Sequence, residues 1–133
     1  MHRRSLLATA GLASAHLAAA ASPALAHGED ERGPNGGRIA DVGNSHVEMV
    51  ARNGEIRVYV LDGGNRPQTA AGATGSLIVQ AGGRQQTVRL EQGEGGAYLV
   101  GRGDFQAARG MRVVASLTLP GQPQRQVRYA PMD

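Results

Sequence analysis

His46 and Glu48 stand two residues apart in "SHVEMVAR" (45–52), a stretch that alternates apolar and polar residues. Residues two apart on a strand project from the same face, so an imidazole and a carboxylate here can converge on one cation or hydrogen-bond to each other. Two ligands are too few for a tight zinc or copper site, where three or four are usual. A third candidate lies upstream. The stretch "SPALAHGEDERGPNGG" (22–37) closes a run of small apolar residues and turns polar at His27. If the working chain begins there, His27 offers both an α-amine and an imidazole. Together with His46 that makes a three-nitrogen set, a histidine brace, whose tetragonal arrangement suits Cu(II). Glu48, Glu29, Asp30 and Glu31 are candidates for an oxygen ligand or an acceptor behind one.

The start of the chain predicts that terminus. Arg3 and Arg4 form a positive segment, Leu6 to Ala21 is largely apolar, and Ala24-Leu25-Ala26 fits the small-x-small pattern cut by signal peptidase. Residues 1–26 therefore read as a removed signal peptide, with "RRSLLATAG" resembling a twin-arginine signal and the Sec route also open. His16 and Pro23 interrupt a mostly alanine segment that falls short of the about 20 strongly apolar residues of a membrane span. No cysteine follows the cut, so no lipid anchor or stable membrane insertion is expected of the mature product. Its expected location is the periplasm or the exterior.

Composition removes several classes of chemistry. The chain has no cysteine, which excludes disulfides, thiolate catalysis, iron–sulfur clusters and cysteine zinc sites. Without the two arginines of the signal, basic and acidic residues nearly balance at +1, and every basic residue is arginine. The aromatic residues are Tyr59, Tyr98, Tyr129 and Phe105, too few and too scattered for a base-stacking surface, so no nucleic-acid partner is expected.

The elements that must position the histidines read as strands. "SHVEMVAR" sets Val47 and Met49 against His46, Glu48 and Val50; "EIRVYVLD" (55–62) sets Ile56, Val58 and Val60 against Arg57, Tyr59 and Leu61. Asn53-Gly54 between them predicts a tight type I′ hairpin, and Gly82-Gly83 a second hairpin within 75–91. "AYLVG" (97–101), "MRVVASLTLPG" (111–121) and "PQRQVRYA" (123–130) complete the set, while "DFQAARG" (104–110) has room for one helical turn. "GPNGG" (33–37) reads as a turn entering the first strand. The prediction is an all-β protein: a flexible acidic segment at 27–36, then an immunoglobulin-like antiparallel β-sandwich of seven or eight short strands over 37–133.

"GPNGGRIADVGNSHVEMV", "IRVYVLDGGNRP", "GATGSLIVQAGG" and "VRLEQG" together resemble small periplasmic proteins, and accessory domains of membrane-fusion subunits, associated with heavy-metal efflux. The resemblance spans roughly residues 33–103 and implies a β-domain beside an efflux system. Relatives of this kind often carry histidine where Asn35 stands, so one possible ligand is absent here. The His27–His46 brace is similar to that of small periplasmic copper proteins and of copper oxidases.

Bland readings stand beside these. A His–Glu pair on a strand needs no metal, a terminal histidine can simply fray, and Met49 and Met111 fall on core faces, leaving Met132 as the other soft thioether of the mature chain. "QAGGRQ" and "QGEGGA" lack the strand–helix setting and lysine of a phosphate loop. No serine sits in a nucleophile elbow and one histidine lies within the domain, so no enzyme is expected. The expected function is metal binding or delivery, with copper as the ion and a periplasmic efflux subunit as partner. The alternative is a metal-free envelope module that docks through exposed strands.

Overall fold

A computed structural model describes residues 31–133; the expected signal peptide and His27 lie outside the described residues. Period-two alternation becomes nine strands: β1 (Arg38–Val42), β2 (Ser45–Arg52), β3 (Glu55–Leu61), β4 (Thr74–Ala81), β5 (Arg84–Arg89), β6 (Glu91–Gln92), β7 (Leu99–Arg102), β8 (Arg112–Thr118) and β9 (Arg125–Tyr129). They form two antiparallel sheets, ordered β1-β2-β3-β7-β6 and β5-β4-β8-β9. The all-β sandwich read from the sequence is the fold. Its strand number exceeds the expected seven or eight because "RIADV" pairs as a separate strand and β6 adds two residues. Among the described residues no helix is long and apolar enough to cross a membrane.

The inner faces carry the residues that the alternation assigned to them. Val47, Met49, Ile56 and Val58 meet Leu77, Val79, Val113, Ala115 and Leu117 in one core that also contains Met111. Tyr129 spans it: its hydroxyl donates to the Val47 carbonyl at 2.8 Å, joining the last strand of one sheet to the second strand of the other. Burial pushes this phenol far above the usual tyrosine range, and the negative charges of Asp41 and Glu48 push the same way.

The two hairpin tips form where glycines predicted them. Gly82 and Gly83 both take positive φ, as a type I′ turn requires. At the other tip Gly54 does so but Asn53 does not, so the expected type I′ geometry is not adopted there. The reason is tertiary. Asn53 Oδ1 accepts the Ala107 N–H at 2.9 Å, and the Gly54 N–H donates to the Phe105 carbonyl. The same stitching holds 104–110 as an irregular strap with Phe105 buried, in place of the expected helical turn. A 3-10 turn occurs instead at Glu94–Gly96.

One region of the outer surface is also closed. Ile39, Glu48 and Leu61, on the outward face of the five-stranded sheet, are 0–1% exposed. Residues 31–37 cover them from one side, with the Ile39 N–H donating to the Glu31 carbonyl and an isolated bridge joining Arg32 to Arg38. On the other side the turn after β3 folds back, bridging Leu61 to Pro67. This covered corner is where the H-x-E strand motif lies.

Candidate functional site

Strand register fixes the neighbours of His46. Gly43 takes positive φ in the two-residue link between β1 and β2, so Val42 faces Ser45 and Asp41 falls opposite His46. The Asp41 Oδ1 atom lies 3.2 Å from His46 Nε2, with the imidazole 12% exposed and the aspartate 51% exposed. On the other side of the ring, Nδ1 meets Asn65 Oδ1 at 2.6 Å. The Asn65 amide is oriented by its own second contact: Nδ2 donates to Glu31 Oε1 at 3.1 Å, which leaves Oδ1 to accept from the imidazole. Nδ1 therefore carries a proton, and Nε2 is the nitrogen that faces Asp41.

Asn65 reaches the ring because of an unusual backbone. It is the non-glycine residue with positive φ (61°) among the described residues, a conformation asparagine tolerates better than most. The turn is closed by Asp62, whose Oδ1 accepts the N–H groups of Gly64 at 2.8 Å and Arg66 at 2.9 Å. Those contacts, Arg66 first, hold the Asp62 carboxyl below the usual carboxylate range. "DGGNRP" is thus a shaped turn that delivers one amide to one imidazole.

Glu48 shares the outward face with His46 but has a different occupation. Its side chain is fully buried. The Asn35 N–H lies 3.2 Å from Oε1 and 2.9 Å from Oε2, Asn35 Nδ2 donates to Oε1 at 2.9 Å, and the Gly37 N–H donates to Oε2 at 2.7 Å. A carboxylate that accepts this many N–H groups is satisfied as an ion without a metal. The position of Gly33 is part of the same fit, since a Cβ there would overlap the Glu48 carboxyl group. "GPNGG" is therefore a lid whose backbone is organised by Glu48.

Of the three residues singled out in the sequence, His46 and Glu48 lie on one face of β2 with separate partners, and His27 lies outside the described residues. Met49 and Met111 are core residues, and Met132 packs beside that core. Asp41 and Asn65 were missed. Asp41 could have been found from the Gly43-Asn44 hairpin signal, which counts it into register with His46; nothing local announces Asn65. Among the described residues no group of three or more His, Cys, Asp or Glu side chains is arranged to hold a metal ion. His46 and Asp41 supply one nitrogen and one oxygen, so a complete set needs further ligands from elsewhere. Comparison of the chain with family models, with curated proteins and with solved structures found no match.

Proposed function

We propose that the chain is an exported metal-binding protein that holds copper at His46 and serves heavy-metal efflux or resistance. The observation that carries this reading is the pair formed by His46 Nε2 and Asp41 Oδ1. With Nδ1 protonated against Asn65, Nε2 and the carboxylate are two electron-rich atoms held 3.2 Å apart. Such a pair requires a cation between its members: a proton on Nε2, or a metal ion bound by both. Two ligands on one ion at about 2.0–2.2 Å each can be separated by up to about 4.2 Å, so this separation suits a shared ion. A ring nitrogen turned to the ion while the other donates to a fixed acceptor is the usual setting of a ligating histidine.

The remaining ligands are assigned to the N-terminus. Glu31 reaches Asn65 and lies four positions after His27, a span of at most about 14 Å when extended. An amine and imidazole beginning at His27 therefore start within reach of His46. In this reading Asp41 takes the oxygen-ligand role that the sequence offered to Glu48, whose oxygens are engaged by the lid. The bound ion would bring a Lewis-acidic, exchangeable centre; the protein's part is to orient the imidazole and keep an open edge at Asp41 for ligand exchange with a partner.

The test is copper titration of protein with its native N-terminus, together with metal analysis. One Cu(II) per chain with a nitrogen-rich tetragonal paramagnetic spectrum is expected. His46→Ala and Asp41→Asn should weaken binding, and one extra residue before His27 should do so as well. A short peptide beginning at His27 that binds as tightly as the protein would reduce the site to its tail. Absence of stoichiometric copper or zinc binding would overturn the reading in favour of the docking module.

A further inference from the structure

The four-stranded sheet has a charge pattern that the metal reading does not use. Its strands β4, β5, β8 and β9 contain no aspartate or glutamate, whereas they contain Arg84, Arg89, Arg112, Arg125 and Arg128. Register sorts these onto faces. One outward row runs Thr87–Ile78–Val114–Arg128, the next Arg89–Ser76–Ser116–Gln126, and a third Gln85–Gln80–Arg112. The outer face is thus a plane of Ser, Thr and Gln with arginines around Ile78 and Val114. Ile78, 38% exposed, is the exposed large hydrophobic residue of the described chain. Arg112 is paired with Asp133 at 2.8 Å, but Arg89 and Arg128 have no carboxylate partner among the described residues.

We propose that this face docks on a bilayer surface containing anionic phospholipid. Four strands at about 4.8 Å spacing make a face about 14 Å across, a breadth that fits a surface better than a single extended peptide or nucleic-acid strand. Base stacking has no platform here. Tyr59 and Tyr98 lie on the five-stranded sheet and its adjoining loop, in contact with each other, while Tyr129 and Phe105 are buried. Arginine is the side chain that pairs with phosphate through two parallel N–H groups, and its aliphatic stem can lie along the headgroup layer while the charge stays wet. Ile78 and Val114 occupy the centre, where an aliphatic side chain can enter the interface between headgroups and acyl chains. The glutamine, serine and threonine side chains around them carry no charge to neutralise, and their N–H and O–H groups can exchange water for the phosphate and carbonyl oxygens of the headgroups. The contact is peripheral and reversible, and it leaves the His46 corner on the opposite sheet open.

Flotation with phosphatidylcholine vesicles, with and without phosphatidylglycerol, tests the assignment on protein in its naturally processed form. Binding is expected to the phosphatidylglycerol vesicles and to weaken as salt is raised. Arg89→Glu with Arg128→Glu should abolish it, the milder Arg89→Gln and Arg128→Gln should each weaken it by about fivefold, and Ile78→Ser should also weaken it. Arg52→Glu with Arg102→Glu makes the same change in net charge on the other sheet and should leave binding intact. Equal loss in both double variants would overturn the face assignment, as would vesicle binding that ignores phosphatidylglycerol. Capture of single-stranded RNA with no vesicle binding would overturn the choice of partner. Circular dichroism of each variant identifies any loss caused by misfolding, and the glutamine variants then decide the question.

Discussion

The buried Glu48 carboxylate accepts the Gly37 backbone N–H at 2.7 Å and binds Asn35 through both its backbone and its side-chain amide. A strand residue thereby organises the lid that covers it. Glu48→Ala would leave these donors without acceptors inside the fold. It is expected to lower stability by about 3 kcal/mol, measured by chemical denaturation. Glu48→Gln keeps one oxygen but turns an amide toward the N–H donors, so its loss should be smaller yet clear. A change below about 0.5 kcal/mol for Glu48→Ala, the level of an ordinary surface substitution, would show that the lid is held by other contacts.

Gly33 tests the same fit from the opposite side. A methyl group at this position overlaps the Glu48 carboxyl, so Gly33→Ala forces either the lid or the carboxylate to move. A loss of about 1–3 kcal/mol is expected, in the range of overpacked sites. Combined with Glu48→Ala the cost should be much less than additive, because the colliding group is gone. Full additivity in the double variant would place the strain elsewhere.

Tyr129 ties the sheets and sets an alkaline limit. Its phenol is held neutral in the fold, whereas in the unfolded chain it loses its proton near pH ~10. The native pKa is the higher one, so the contribution is complete below pH ~10 and is lost as pH rises beyond it. Tyr129→Phe should cost about 1 kcal/mol at neutral pH through loss of the bond to Val47. The variant should also show a shallower alkaline decline in denaturation midpoint; an unchanged slope would mean that another group titrates.

Asp62 sets the acid behaviour of the turn that presents Asn65. Its native pKa lies below the ordinary value because the carboxylate accepts the Arg66 and Gly64 N–H groups. The contribution is therefore present above pH ~3.9 and lost as pH falls through the lower native value. Nuclear magnetic resonance should show the Gly64 and Arg66 amide signals titrating together below pH ~3.9, and Asp62→Ala should remove that titration. Amides that titrate at the ordinary aspartate value would contradict the assigned contacts.

Asn65→Gly separates backbone from side chain. Glycine accepts the positive φ without strain, so the turn survives while the contact to His46 Nδ1 disappears. If copper binds at His46, affinity should fall about 10–100-fold, as when a supporting partner of a ligating histidine is removed. Copper affinity unchanged in a folded Asn65→Gly protein would detach Asn65 from the metal site.

Local pattern was sufficient for most of the architecture. Alternation in 45–62, 75–91 and 111–129 assigned core faces to Val47, Met49, Ile56, Val58 and Met111, because a strand's side chains change face at every residue whatever its partners. Asn53-Gly54 and Gly82-Gly83 marked both hairpin tips, because glycine takes the positive φ of a tight turn whatever packs around it. Neither the backbone type at Asn53 nor the strap at 104–110 was legible, since both depend on hydrogen bonds between segments more than fifty residues apart or across a hairpin tip. The site divides along the same line. His46 and Glu48 were visible as a pair on one face, because their spacing alone puts them there. What each one touches was decided by tertiary packing: the lid closes on Glu48 from residues 33–37, while β1 register brings Asp41 to His46 and a turn 19 residues away brings Asn65. Sequence fixes the direction of a side chain within its strand; its partners depend on which other segments fold over that face.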